Sequence, residues 1–247
     1  MTSALAPLLG LPDVEPALTS ARTAVDAAMG HRALRRSGGS LAAEIGLRSA
    51  VASAALEGHP YDLDDVRAGT VTDPVIQGAL RVSAALDGLA PQWRTAPRQA
   101  LARLHVLAAR GCAGVDDDSL GRPVASAEVA GRLETLFAVL AAPAGRSPAL
   151  LRAAVVHGEL LALRPFAGPS GVVARAAARL TLIADGLDPR GLIAPELGHL
   201  DREPEYVGTA NAFSTGTADG LRSWLRHSCT AVEVAAARLT ALADAAG

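Results

Sequence analysis

Apolar residues recur at helical spacing along nearly the whole chain and almost nowhere alternate with period two. A chain patterned this way buries its apolar surface by packing helix on helix, so the fold class is all-α, a single multi-helix domain. The periodic segments are 14–29, 41–56, 62–67, 73–89, 95–110, 126–142, 148–163, 175–186, 203–214 and 221–245. Breakers divide them. The run Arg35-Arg36-Ser37-Gly38-Gly39-Ser40 interrupts the first two, with Ser40 as N-cap of the second, and Pro91 ends another. Gly58 and Gly186 stand just past helix ends, where a left-handed backbone closes the last turn. Residues 111–123, with three glycines, a proline and Asp116-Asp117-Asp118, carry no helical period and read as a small flap loop or hairpin. Residues 192–200 fit helix or loop.

With 247 residues, half of them hydrophobic, the chain is long enough for an ample core, and no linker or repeat marks a sharp boundary. Residues 1–40 read as an N-terminal helical extension and residues 41–247 as the main domain. A net charge of −2 and few aromatics exclude general nucleic-acid binding, which needs a basic face and stacking platforms. Cys112 and Cys229 are too few and too far apart for a disulfide framework or a zinc site. The apolar start of the chain is short, lacks a basic region and is broken by Pro7 and Pro12, so neither a signal peptide nor a membrane span is expected. A reduced, cytoplasmic setting fits.

The chemistry-bearing stretch is the Pro/Gly-rich loop Arg164-Pro165-Phe166-Ala167-Gly168-Pro169-Ser170-Gly171-Val172-Val173-Ala174-Arg175, set between two apolar helices. Its backbone N–H groups gather at a helix N-terminus, where anions are favoured. Far upstream, Ser53-Ala54-Ala55-Leu56-Glu57-Gly58 closes a helix with Ser53 and Glu57 one turn apart on one face. His157 and Glu159 do not share a face, and His157 reads as a core histidine. Asp116 to Asp118 read as a solvated acidic loop.

Residues 164–175 resemble the signature loop of the Fic (Fido, or Fic/Doc) family: His, Pro, Phe, any residue, Asp or Glu, Gly, Asn, Gly, Arg, two of any kind, Arg. Pro165, Phe166, Gly171 and Arg175 match. Ser53 to Gly58 matches in full that family's inhibitory-helix motif, Ser or Thr, three of any kind, Glu, then Gly or Asn, and lies N-terminal to the loop as the resemblance predicts. The segments 153–163 and 202–206, with Trp224-Leu225, are similar to the family's flanking helices.

The resemblance implies transfer of AMP from ATP to a protein hydroxyl, with the loop His as general base, an acidic loop residue holding Mg²⁺, and loop amides and arginines cradling phosphates. Arg164 occupies the His position, and a guanidinium that stays protonated cannot take a proton from an attacking hydroxyl. Gly168 occupies the acidic position and offers no carboxylate to Mg²⁺. Pro169 removes one N–H from the cradle and Val172 the first arginine. The expectation is therefore a degenerate Fic-like protein without catalytic residues or metal, working through a protein partner or as a sensor. ATP or another nucleotide is the ligand the resemblance leaves room for, Mg²⁺ is not expected, and a homo-oligomer is compatible. Ser170, Gly171 and Arg175 are the candidate anion-binding residues, against the plain alternative that Ser170 caps a helix and Arg164 reaches solvent. Ser53, Glu57 and Gly58 form the inhibitory-type motif, in which Glu57 is expected to pair with Arg175 as a clasp between the N-terminal helix and the core. The other reading is a nucleotidyl- or phosphoryl-transferring enzyme with altered catalytic residues.

Overall fold

From Gly171 to Ala184 every residue of the helix Ser170–Ala184 is buried. A helix closed off on all sides is the centre of a domain, and its Ala, Val and Gly side chains let neighbouring helices approach closely. The computed structural model describes residues 4–143, 145 and 147–246, with backbone alone for 35–38. Among these residues there are twelve α-helices and no strand. In chain order they are α1 (Ala6–Leu9), α2 (Val14–Met29), α3 (Leu34–Ala55), α4 (Leu63–Arg67), α5 (Pro74–Thr95), α6 (Pro97–Ala109), α7 (Ala127–Ala141), α8 (Ala149–Leu163), α9 (Ser170–Ala184), α10 (Pro195–Asp201), α11 (Glu203–Ser214) and α12 (Ala218–Ala245).

The α8–α9 hairpin is a wall shared by two halves of the core. On one side Leu150, Leu151, Ala154, Ala178 and Leu182 pack with Trp224, Val232 and Leu239 of α12 and with Val14, Leu18 and Val25 of α2. On the other, Val156, Leu160, Val173 and Leu180 pack with Ile76 and Leu86 of α5, Leu101 and Leu104 of α6 and Leu136 of α7. The N-terminal extension thus shares one core with the rest of the chain. No helix among the described residues is long and apolar enough to cross a membrane.

Local chemistry sets most helix boundaries. Asp62 and Asp73 accept N–H bonds at the starts of α4 and α5, and Ser126 and Thr217 do so for α7 and α12. At the end of α3, Gly58 takes φ 85°, its N–H bonding Ala55 O while His59 N–H bonds Ala54 O; Gly186 closes α9 in the same way.

Three boundaries differ from the sequence expectation, and the flap takes one of the two forms expected of it. Residues 35–40 do not break the chain: α3 begins at Leu34 and Ser40 lies inside it. Leu34, Leu41 and Ile45 are all buried on one face, so packing at both ends of the weak Ser/Gly run overrides its poor propensity. Pro91 does not end α5, which continues to Thr95 because Trp93 is buried and donates from Nε1 to Thr181 Oγ1 at 3.1 Å. The flap 111–123 is a loop with a 3₁₀ turn at Asp117–Ser119 and no hairpin. Finally, α9 starts at Ser170 rather than Arg175, directly after Pro169, leaving a connection of only six residues, 164–169.

Candidate functional site

Arg164 ends α8 in the left-handed region, φ 44° and ψ 60°, with its N–H on Leu160 O at 3.0 Å. This conformation costs a non-glycine residue about 1–2 kcal/mol, part of which a cation at a helix C-terminus recovers. The side chain is exposed and meets no ion-pair partner among the described residues. Phe166 is buried and stacks on His105 with ring centroids 4.6 Å apart. Gly168 has φ 79°, and a Cβ there would lie 2.8 Å from Val115 Cγ2 of the flap, so a larger residue could not hold this loop shape without moving the flap. Pro169, φ −76° and ψ 70°, forms an inverse γ-turn in which Ser170 N–H donates to Gly168 O at 2.7 Å. Ser170 Oγ donates to Phe166 O at 3.0 Å. Ser170 is therefore the first helical residue rather than a side-chain cap, and both its donors turn back to the loop. Gly171 and the next residues of α9 carry the amides left to face an anion.

The guanidinium of Arg175 sits one turn deeper, 2% exposed. It donates from Nε to Ser53 Oγ at 2.9 Å, from one terminal nitrogen to Tyr206 OH at 3.2 Å, and from the other to Ser53 O at 2.7 Å and Glu57 Oε1 at 2.9 Å. Burial works against its charge, but Tyr206 and Glu57 outweigh burial and hold the guanidinium above its ordinary value. A Cβ added at Gly171 would fall 1.9 Å from Glu57 Oε1. The Glu57 carboxylate thus rests on the N-terminus of α9, where a bound anion would be stabilised.

Arg164, Gly168, Ser170, Gly171, Arg175 and Glu57 all line one open cavity of about 750 Å³, completed by Tyr206, Asn211 and Ser214 and an apolar rim including Leu161 and Val207. Ser53 lies behind Arg175, while Gly58 is exposed in the turn that follows α3, so the structure brings together Ser53, Glu57, Ser170, Gly171 and Arg175. No protein-family model and no curated protein matches the chain by sequence. Solved structures do. A Fic family protein from Desulfovibrio desulfuricans G20 is 21% identical and superposes with a TM-score of 0.75 over 92% of this chain and 75% of its own. Fic-1 from C. elegans is 17% identical, with a TM-score of 0.74 over 98% of this chain and 76% of its own. A Fic-1 variant with one Glu-to-Gly substitution gives 16% identity and 0.67, over 94% and 73%.

The chain has the Fic fold. On this Fic fold the residues present do not fit a Mg²⁺ site: such a cation beside phosphates is held by carboxylates, Gly168 has no carboxylate, and the one carboxylate lining the cavity, Glu57, is engaged by Arg175. Among the described residues no three His, Cys, Asp or Glu side chains are grouped as ligands for a metal ion.

Behind the clasp the Fic fold of this chain carries a buried cluster that sequence reading missed beyond His157. The Tyr206 hydroxyl, which accepts from Arg175, also shares a hydrogen bond with His157 Nε2 at 3.0 Å. A second string runs from Glu205 Oε1 to His227 Nδ1 at 3.2 Å and from His227 Nε2 to His199 Nδ1 at 3.0 Å. The His157 and His199 rings meet edge to face at 5.1 Å. Glu159 points elsewhere, to Arg132. Burial, then the positive charges of neighbouring histidines and Arg175, pushes His157 and His199 well below their ordinary 6.5. A histidine kept neutral in the fold takes up its proton only on unfolding, so its contribution is full above pH 6.5 and is lost as pH falls. Going from about pH 7.5 to about pH 5.5 should therefore destabilise the wild type more than His199→Gln, by at most about 1.4 kcal/mol. Urea unfolding of both proteins at the two pH values measures it, and equal losses would refute it.

Proposed function

We propose that this chain is a degenerate Fic protein that does not transfer AMP and that acts by engaging a protein partner or by sensing a nucleotide or other anion in the cavity over α9. The observation that carries this reading is Arg164: the side chain at the base position is a permanently charged cation facing the cavity, unable to accept a hydroxyl proton. Gly168 supports it from the metal side, and the cavity, about 750 Å³, is of the size that takes nucleotide-like ligands. The anion-favouring N-terminus of α9 is retained but covered by Glu57, which supports a binding function under the control of that side chain.

The test is incubation with labelled ATP and Mg²⁺, using wild type and Glu57→Gly with a mixture of candidate protein acceptors. No label should reach protein in either case; label transferred by Glu57→Gly would support the alternative of an altered transferase. In parallel, Glu57→Gly should bind ATP about 10–100-fold more tightly than wild type by calorimetry, the worth of one competing charge-assisted hydrogen bond.

A further inference from the structure

The loop is fixed from its buried side by a residue outside both motifs. His105 of α6 is fully buried, and both ring nitrogens are used. Gly121 N–H of the flap donates to Nδ1 at 2.9 Å, which places the ring proton on Nε2, and Nε2–H donates to Ala167 O at 2.8 Å. The same ring stacks on Phe166. Two further contacts join flap and loop: Val124 N–H donates to Pro165 O at 2.8 Å, and Val115 presses on Gly168.

The peptide between Ala167 and Gly168 is trans, so its N–H points opposite to its C=O. With the carbonyl held toward α6, Gly168 N–H is turned to the other side of the loop. Gly168 lines the cavity, and among the described residues no acceptor takes this N–H. The loop needs such a donor, because Pro169 has no N–H and Ser170 N–H is spent on Gly168 O.

We propose that His105 is a positioning residue that locks flap and loop into one unit and, through Ala167 O, aims Gly168 N–H at a phosphate-type anion bound over the α9 N-terminus. This rests on the anion-binding reading above. The imidazole does its work as a neutral two-ended bridge: one nitrogen accepts from the flap and the other donates to the loop. Among the described residues the other hydrogen bond between the two segments is Val124 N–H to Pro165 O. Burial keeps the ring in that neutral form, below its ordinary 6.5.

The experiment uses the full chain in two measurements. First, inorganic pyrophosphate is titrated by NMR into Glu57→Gly, which uncovers the helix N-terminus, and into Glu57→Gly with His105→Phe, which keeps an aromatic ring against Phe166 but has neither nitrogen. The histidine variant should weaken binding about tenfold, as expected for one donor to a charged group set out of place. Unchanged affinity would overturn the donor role, and a Glu57→Gly parent that binds no pyrophosphate would overturn the anion reading together with that role. Second, amide exchange at Gly121 reads the lock without any ligand. His105→Asn keeps an acceptor at the Nδ1 position, and His105→Gln keeps a donor at the Nε2 position. Gly121 should stay protected in His105→Asn and exchange at least about tenfold faster in His105→Gln and His105→Phe. Equal exchange in all three would overturn the lock and show the ring to be plain packing.

Discussion

Arg175→Ala is expected to destabilise the protein by about 3–5 kcal/mol, because it removes the cation of a buried pair and leaves Glu57, Ser53 and Tyr206 with polar groups aimed at an empty space. The two partners are not equivalent. Arg175 is 2% exposed and Glu57 is 21% exposed, so Glu57→Ala should cost less, about 1.5–3 kcal/mol, since the guanidinium keeps Ser53 and Tyr206 as acceptors. Once Arg175 is gone, Glu57 has nothing to hold and can turn to solvent. The double variant should therefore be little worse than Arg175→Ala alone. Urea unfolding of the four proteins completes the cycle; losses that simply add would show that the pair is not a clasp. Tyr206→Phe offers a further check, since it removes the hydroxyl that links Arg175 to His157 while leaving the ring in place.

The clasp also shows what the sequence could and could not disclose. Ser53 and Glu57 lie one turn apart but more than a hundred residues from Arg175, and no periodicity connects them to it. The resemblance pairs Glu57 with Arg175, and the geometry places Glu57, and Ser53 with it, in hydrogen-bond contact with that arginine. Helices carried by strong local signals are legible: the apolar stripe of α2 and the Gly58 and Gly186 closures depend on neighbours in sequence. Where local and tertiary preferences conflict, reading from local preference failed, as with the Ser/Gly run inside α3 and Pro91 inside α5. The histidine cluster was hidden for a related reason. His157, His199 and His227 lie on three different helices, and periodicity reports that each faces inward without saying which other side chain it will meet. His105 could be placed on a buried stripe, yet its two backbone partners belong to loops that have no period at all.

Gly171→Ala should invert its effect according to whether Glu57 is present. In isolation, alanine in place of glycine inside a helix stabilises by about 0.5–1 kcal/mol, and Gly171 has an ordinary helical backbone that alanine accepts. In the wild type, however, the new methyl would sit 1.9 Å from Glu57 Oε1 and 2.7 Å from an Arg175 nitrogen. One of them has to move, and Glu57, the more exposed and the one at the end of a helix, is the side chain that yields. The substitution should then destabilise by about 1–3 kcal/mol, the usual cost of overpacking, with the lost carboxylate contact included. In a Glu57→Gly background the nearer obstacle is gone and the Arg175 nitrogen at 2.7 Å, released from the carboxylate, has only a few tenths of an ångström to give, so the same change should become neutral or stabilising. Thermal unfolding of the two single variants and the double variant reads this reversal of sign, and a Gly171→Ala cost that persists without Glu57 would mean that the glycine is needed for the loop rather than for the carboxylate lying on it. The reversal would tie the glycine of the altered loop to a glutamate more than a hundred residues away: its missing side chain leaves the space that Glu57 fills over the N-terminal end of α9.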